Sequence, residues 1–136
     1  MPETGVDAMT RQFLRFAVVG TIGFIVDAGV LLYLLSLEFG LYTARAVSFF
    51  FAVTCTWLLN RVFTFRDRNA DLIGQWTRFA SVNLVGGLIN YGTYAALVWQ
   101  LALVQVWPVL GVAAGSISGM FFNFALSRWY VFEHSD

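Results

Sequence analysis

The stretch FAVVGTIGFIVDAGVLLYLLSL, residues 16–37, decides the fold, because it contains one charged residue, Asp27, in an otherwise apolar run. A transmembrane helix needs ~20 predominantly apolar residues to cross about 30 Å of hydrocarbon. The chain of 136 residues is 59% hydrophobic and 12% charged, and a water-soluble core could not bury that much apolar surface. We therefore predict a single all-α integral membrane domain with four transmembrane helices. The other three spans are predicted near residues 43–63, 79–99 and 107–126.

The basic residues set the predicted orientation. All eight are arginine, and seven lie on one side of the predicted membrane while Arg45 lies on the other. An excess of basic residues marks the cytoplasmic side of a membrane protein. We therefore place both termini and the central loop, residues 66–75, in the cytoplasm. The leader, residues 1–10, lacks the basic and apolar regions of a cleaved signal peptide, so we expect the first span to remain as a signal anchor.

Two tandem copies of a helical hairpin are visible, repeat 1 over residues 11–66 and repeat 2 over residues 74–133. Two spans per copy leave both copies in the same orientation, so we predict a parallel repeat about an axis along the membrane normal. In the first helices the alignment pairs Gln12, Arg15, Phe16 and Asp27 with Gln75, Arg78, Phe79 and Asn90. In the second helices it pairs Asn60, Arg61, Phe63 and Phe65 with Ser127, Arg128, Tyr130 and Phe132.

Asp27 is the residue that helix packing explains worst. At ~1.5 Å per residue it lies about 18 Å from Arg15, near the bilayer centre. A charged aspartate there costs ~2.5–3.5 kcal/mol, so it should face the bundle, be paired or be protonated. Arg45 is the one base that can reach it from the outer side, and Asn90 is its counterpart in the repeat. Further polar candidates for a headgroup or switch site, with helix packing as the alternative, are Thr56, Asn60, Asn83 and Asn123.

Four arginines recur at the cytoplasmic ends of the four predicted helices: Arg15, Arg61, Arg78 and Arg128. Guanidinium groups bind phosphate oxygens in a bidentate fashion, and a group of them beside polar helix faces suits a lipid-phosphate headgroup. The alternative is that they set the topology and reach the interface by snorkelling. Their repetition at matching positions favours lipid-phosphate binding.

The sequence offers no catalytic centre. The single Cys55 allows no intramolecular disulfide and no cysteine-based metal site, and the single His134 lies in a polar tail where we expect it to be solvated. No nucleophile, acid–base pair or metal cluster can be assembled from the spans. We therefore expect no enzyme activity, no cofactor, no metal site and no nucleic-acid partner.

Several short motifs stand at the repeated helix ends. They are RFAVVG at 15–20, VD at 26–27, WLLNRVFTF at 57–65, RF at 78–79, NF at 123–124 and RWYVF at 128–132. With these motifs the chain resembles the GtrA family, small four-helix membrane proteins of cell-surface glycan assembly. The resemblance covers residues 11–133. The fourth helix departs from the pattern, because it has Ser127 where the second has Asn60, with Asn123 one turn earlier as a candidate replacement.

The resemblance implies that the protein moves a polyprenyl-phosphate-linked sugar, such as an undecaprenyl-phosphate hexose, to the outer leaflet of the bacterial cytoplasmic membrane for cell-surface polysaccharide synthesis. It also implies contact with membrane lipids and with a separate membrane glycosyltransferase that makes the substrate, since related domains are fused to such enzymes as membrane anchors. Four helices are few for an enclosed path, which favours a homo-oligomer.

Two other functions stay open. A non-transporting scaffold could recruit a glycosyltransferase to its lipid substrate through the charged central loop. Small drug exporters also combine four helices with a membrane carboxylate, but they carry Glu in the first span. Some of those exporters insert in both orientations with balanced charge, and the arginine distribution here is one-sided.

Overall fold

The computed structural model of the protein describes residues 2 and 4–132. Helices account for 88% of these described residues and no strand occurs among them, which confirms the predicted all-α class. The helices are α1 (Gly5–Ser36), α2 (Leu41–Leu59), α3 (Leu72–Gln100), α4 (Ala102–Val106) and α5 (Pro108–Leu126). Helices α2 and α5 each continue into a five-residue π-helical turn, Asn60–Thr64 and Ser127–Val131. His134, and residue 133 at the end of predicted repeat 2, lie outside the described residues.

Helix α1 begins well before the first predicted span because the leader carries a capping box. The Thr4 hydroxyl accepts a hydrogen bond from the Asp7 backbone N–H at 3.2 Å, and the Asp7 carboxylate accepts one from the Thr4 backbone N–H at 3.3 Å. These two bonds satisfy backbone donors that a helix start leaves open. The resulting helix of 32 residues is about 48 Å long, which exceeds the thickness of the hydrocarbon core.

Three segments are long and apolar enough to cross a membrane: Gly5–Ser36, Leu41–Thr64 and Val109–Val131. They cover the second predicted span completely, the first except for residue 37, and the fourth except for residues 107–108. The third predicted span lies within α3, which has 29 residues but is less apolar, because Asn83, Asn90 and several small residues interrupt it. The count of four spans and the cytoplasmic position of the termini therefore stay predictions.

The described chain divides into two compact units. The first contains the residues up to Trp76 together with Phe132, and the second is Thr77–Val131. In the first unit α1 packs along α2 and its π-helical turn. Three buried aromatic side chains hold the π-helical end of this unit: the Phe65 ring stacks on Phe132 with centroids 4.9 Å apart and meets the edge of Phe16 at 6.4 Å.

Small residues let the helices of each unit approach closely. On α2 the residues Ala44, Ser48 and Ala52 are buried, four residues apart, and on α5 the same spacing buries Gly111, Gly115 and Gly119. In the second unit a Cβ atom at Gly119 would lie 3.0 Å from the Gly86 carbonyl oxygen. Glycine at these positions brings α3 and α5 into backbone contact, a packing that is common where transmembrane helices meet closely.

Candidate functional site

The first unit contains an ion pair within its helical hairpin. Arg45 Nη1 on α2 donates to Asp27 Oδ2 on α1 at 2.7 Å. The Asp27 side chain is 19% exposed and the Arg45 side chain is 56% exposed. Asp27 Oδ1 is buried and has no hydrogen-bond partner among the described residues. The structure thus brings together the acid and the base that the sequence suggested, and it leaves half of the carboxylate unpaired.

Thr56 packs against Gly23, which precedes Asp27 by one turn of α1. Its hydroxyl donates to the Ala52 and Val53 carbonyl oxygens of its own helix, at 2.9 and 3.1 Å. Its methyl group fills the space that a Cβ atom on Gly23 would need. A threonine that satisfies its hydroxyl on the preceding turn is well tolerated in a transmembrane helix. Thr56 therefore closes the α1–α2 contact, and its hydroxyl is already paired in this structure.

The π-helical turn after α2 is held by its own side chains. The Asn60 side chain is 2% exposed, and its Oδ1 accepts a hydrogen bond from the Thr64 hydroxyl at 2.8 Å. The turn also closes through a backbone bond from Phe65 N–H to the Asn60 carbonyl oxygen at 2.8 Å. Asn60, which the sequence suggested as a headgroup ligand, therefore stabilises the end of the helix.

Arg61 is bound by the central loop. Its Nη1 donates to Gln75 Oε1 at 2.8 Å, and its Nη2 donates to the Asn69 carbonyl oxygen at 2.6 Å. Both terminal nitrogens of the guanidinium group therefore have a protein oxygen as partner. Charged hydrogen bonds of this kind are among the stronger ones in proteins. The arginine that was predicted to bind a lipid phosphate thus holds the loop against the end of α2.

Gln75 is the centre of this network, and the sequence analysis missed its role. Its side chain is fully buried, accepts from the Trp57 indole N–H at 3.0 Å as well as from Arg61, and donates to Asp67 Oδ2 at 2.6 Å. Asp67 is itself buried, and its Oδ1 accepts from the Asn69 backbone N–H at 2.8 Å. The repeat alignment contained Gln75 as a match to Gln12, but a match gives no information on which loop atoms would surround it.

Arg15 lies at the same end of the first unit and is half-buried. Its Nη1 contacts the Phe63 carbonyl oxygen at 3.3 Å, and its guanidinium carbon lies 5.1 Å from the centroid of the Phe63 ring. This geometry is that of a cation–π contact with one long hydrogen bond. Arg15 is therefore held less tightly than Arg61 and retains capacity for another acceptor.

In the second unit, two of the predicted asparagines are turned toward protein. The Asn83 side-chain amide donates to the Phe79 carbonyl oxygen of its own helix at 2.9 Å. The Asn90 side chain and backbone carbonyl lie directly against Gly115 on α5, where a Cβ atom would overlap them. Asn83 is thus satisfied within α3, and Asn90 lies at the α3–α5 contact.

The end of α5 differs, because its polar groups lack partners. The Asn123 side chain lies against Gly86, and its Oδ1 is buried without a hydrogen bond among the described residues. Ser127 is completely buried and its hydroxyl has no partner there either. Arg128 lies with its guanidinium carbon 5.8 Å from the Trp129 ring centroid, and its Nε and Nη1 are buried and unpaired in the described part of the chain. Arg78, at the start of the same unit, is half-buried.

The comparisons with known proteins agree with this membrane architecture. The family model described as "GtrA/DPMS, transmembrane domain" matches residues 15–132. That range includes every candidate site residue from Arg15 to Arg128. No curated protein matches the sequence.

Proposed function

The chain belongs to the GtrA/DPMS transmembrane-domain family, and from this membership we propose that it translocates a polyprenyl-phosphate-linked sugar, such as an undecaprenyl-phosphate hexose, across the bacterial cytoplasmic membrane. The family match supports a membrane role in polyprenyl-linked sugar processes. The observation that favours translocation over simple anchoring is the Asp27–Arg45 ion pair. We assign the protein no catalytic step of its own.

The proposal takes α3 as a fourth transmembrane helix. With 29 residues it is about 43 Å long, enough to cross the hydrocarbon core. Its two asparagines are turned onto its own backbone and onto α5, whereas Leu84, Val85 and Leu88 are exposed. The polar groups are therefore shielded by protein, and the exposed side chains are those that suit lipid. Four spans and the one-sided arginines then put both termini in the cytoplasm.

The Asp27–Arg45 pair has a cost that an inert anchor would have no reason to retain. A carboxylate near the bilayer centre is expensive even when paired, and apolar residues of similar size could replace the pair without loss of stability. One carboxylate oxygen is left without a partner. An acid in this state can bind the hydroxyl groups of a sugar, or it can exchange partners as the protein changes conformation. Either role belongs to a transporter.

The arginines at the cytoplasmic ends supply the phosphate contacts in this proposal. Arg15 in the first unit, and Arg78 and Arg128 in the second, remain candidates for the lipid phosphate, while Arg61 is occupied by the loop. A sugar that enters the membrane must find hydrogen-bond partners at depth, because each unpaired polar group in hydrocarbon costs several kcal/mol. The unpaired Asn123 Oδ1 and Asp27 Oδ1 are suitable acceptors for its hydroxyl groups.

The test is translocation in reconstituted liposomes. The protein is incorporated with a fluorescent polyprenyl-phosphate hexose, and a membrane-impermeant reductant then bleaches the probe in the outer leaflet. Without translocation the bleaching stops at the outer-leaflet fraction, whereas a flippase lets it run close to completion. We expect the wild-type protein to give near-complete bleaching and Asp27→Asn to slow it at least tenfold.

The matched control is Glu38→Gln, which neutralises an exposed acid in the turn between α1 and α2. We expect this variant to translocate at the wild-type rate, since Glu38 lies outside the polar helix contacts. Bleaching by the wild type that stops at the outer-leaflet fraction would remove the flippase proposal. Equal rates for wild type and Asp27→Asn would remove the acid from the mechanism.

The ordered central loop favours one alternative, a scaffold that docks a membrane glycosyltransferase. The network around Gln75 fixes the backbone of this loop, while Arg66 and Arg68 remain exposed on it. A rigid loop with two exposed cations is suited to an acidic surface on a partner. Co-purification of a polyprenyl-phosphate glycosyltransferase that is lost on Arg68→Glu, combined with no translocation in liposomes, would establish this function instead.

A further inference from the structure

The two π-helical turns have the same construction. Each follows a transmembrane helix directly, has five residues, and begins with a small polar residue followed by an arginine: Asn60–Arg61 after α2 and Ser127–Arg128 after α5. Both polar residues are almost fully buried. π-helical segments are rare and occur frequently at functional sites. The same rare π-helical turn therefore occurs twice in the chain, at two positions that are aligned with each other in the predicted repeat.

The two turns differ in how their polar groups are satisfied. In the first, the Asn60 side chain is bonded to Thr64, and both terminal nitrogens of Arg61 have protein acceptors. In the second, the Ser127 hydroxyl and two guanidinium nitrogens of Arg128 are buried without a partner in the described residues. Buried groups of this kind are the exception in folded proteins, and a functional role is one of their recognised causes.

The chemistry of the unpaired groups identifies what they would bind. Arg128 offers two N–H donors with a positive charge, and Ser127, the preceding residue, offers a hydroxyl donor. Such a set fits a phosphate, whose oxygens accept charge-assisted hydrogen bonds from guanidinium and hydroxyl donors. One turn deeper on α5, Asn123 Oδ1 is also unpaired and lies on the same helix face as Ser127, about 6 Å away along the axis. An amide oxygen there can accept a bond from a sugar hydroxyl.

We infer that Ser127 and Arg128 form the phosphate-binding site for the polyprenyl-phosphate substrate, with Asn123 as the adjoining acceptor for its sugar, and that Arg61 is the structural counterpart that holds the loop. This inference rests on the proposed lipid-linked substrate and assigns its phosphate to one of the four arginines. Arg61 and Arg128 are paired in the predicted repeat, yet the inference requires the same substitution to have different effects at the two positions. At Arg128 it should lower the affinity for the substrate, and at Arg61 it should lower the stability of the fold.

The experiment measures binding and stability separately in the purified full-length protein in detergent. Binding of a polyprenyl phosphate is followed by titration, with phosphatidylglycerol as the bulk-phospholipid probe and inorganic phosphate as the free anion. Thermal unfolding without any ligand gives the stability of each variant. The variants are Arg128→Gln, Ser127→Ala and Arg61→Gln, with Arg68→Gln as an exposed cationic control.

We expect Arg128→Gln to weaken polyprenyl phosphate binding at least tenfold, which corresponds to ~1.4 kcal/mol, and to leave the unfolding temperature without ligand unchanged. Ser127→Ala should weaken binding severalfold while keeping or raising that temperature, because it removes a buried hydroxyl that has no partner. Arg61→Gln should lower the unfolding temperature and leave the affinity of the folded fraction unchanged. Arg68→Gln should change neither quantity.

Three results would overturn the inference. Equal losses of affinity in Arg61→Gln and Arg128→Gln would show that the two arginines are not distinguished. A drop in unfolding temperature for Arg128→Gln as large as that for Arg61→Gln would show that the chain already pairs Arg128. Equal affinity for phosphatidylglycerol and polyprenyl phosphate, or full occupancy by inorganic phosphate alone, would show that the site does not select the lipid substrate.

Failure of the proposed function gives a different pattern. Arg128-dependent binding of polyprenyl phosphate by a protein that does not translocate the probe in liposomes would remove the flippase proposal and support the phosphate site. Translocation that is unaffected by Arg128→Gln would support the flippase proposal and overturn the phosphate site.

Discussion

Removing one partner of the Asp27–Arg45 pair should destabilise the protein more than removing both. The pair joins α1 to α2 through a 2.7 Å hydrogen bond, with Asp27 19% exposed and Arg45 56% exposed. The loss of Arg45 leaves a mostly buried carboxylate alone, whereas the loss of Asp27 leaves a long cation that can move its charge toward the interface. The two single substitutions should therefore lower the free energy of unfolding by different amounts.

The magnitude follows from this partial burial. Breaking a buried ion pair costs ~3–5 kcal/mol and breaking an exposed one ~0.2–1 kcal/mol. Because the burial of this pair lies between those limits, we expect the free energy of unfolding to fall by about 2 kcal/mol for Arg45→Met and by about 1 kcal/mol for Asp27→Leu. The double variant should recover most of that loss, since well-packed apolar residues replace ion pairs at little cost. The expected coupling energy is about 2–3 kcal/mol.

The assay is a double-mutant cycle on reversible unfolding in mixed micelles, titrated with a denaturing detergent and followed by tryptophan fluorescence. Arg68→Met, at an exposed position of the central loop, is the control for loss of a positive charge. Additive losses from the two single variants, within ~0.5 kcal/mol, would refute the reasoning, because they would show that the two charges do not stabilise each other. The double variant should also fold and fail to translocate.

Three further predictions concern packing, the central loop and sidedness. Gly86→Ala places a methyl group against the side-chain amide that Gly86 faces on α5, so thermal unfolding should show that the free energy of unfolding falls by ~1–3 kcal/mol. The neighbouring Gly87 has open space around it and should tolerate alanine. Gln75→Leu removes the side chain that three other side chains share as a hydrogen-bond partner, and trypsin should then cleave the central loop faster in detergent. Ala70→Cys, in a cysteine-free background, should react with an impermeant thiol reagent only after cells are permeabilised.

Helix positions were predictable from the sequence wherever a hydrophobic run was long enough. The span at 43–63 coincides with α2 and its π-helical turn, and the span at 107–126 with α5. The early start of α1 depends on the Thr4–Asp7 capping box, a local signal that a search for apolar runs does not use. The short helix α4 was missed for a related reason: five residues form too short a segment to show a helical period.

The site was predictable only where few partners were available. Asp27 could be matched to Arg45 because a single base lies on the outer side of the predicted membrane. On the predicted cytoplasmic side lie seven arginines, and the sequence does not indicate which of them will bind to other parts of the fold. Arg61 donates hydrogen bonds to Gln75 and to a loop carbonyl group. The sequence gives no signal for which backbone oxygen will accept a hydrogen bond. The residue pattern gives no signal for the π-helical turns either.

The differences between the two predicted repeats are the features that the proposed carrier of one phosphate requires. Two free guanidinium groups buried at the helix ends would double the desolvation cost in the empty protein, and two fully paired ones would leave no site. A structural Arg61 in one unit, and in the other an Arg128 whose Nε and Nη1 have no partner among the described residues, avoid both outcomes. The same reasoning applies at depth, where a second carboxylate would add ~2.5–3.5 kcal/mol and Asn90 occupies the position that pairs with Asp27. Asn90→Asp should therefore impair folding far more than Asp27→Asn, and equal stability of the two variants would show that the repeats tolerate charge at this depth alike.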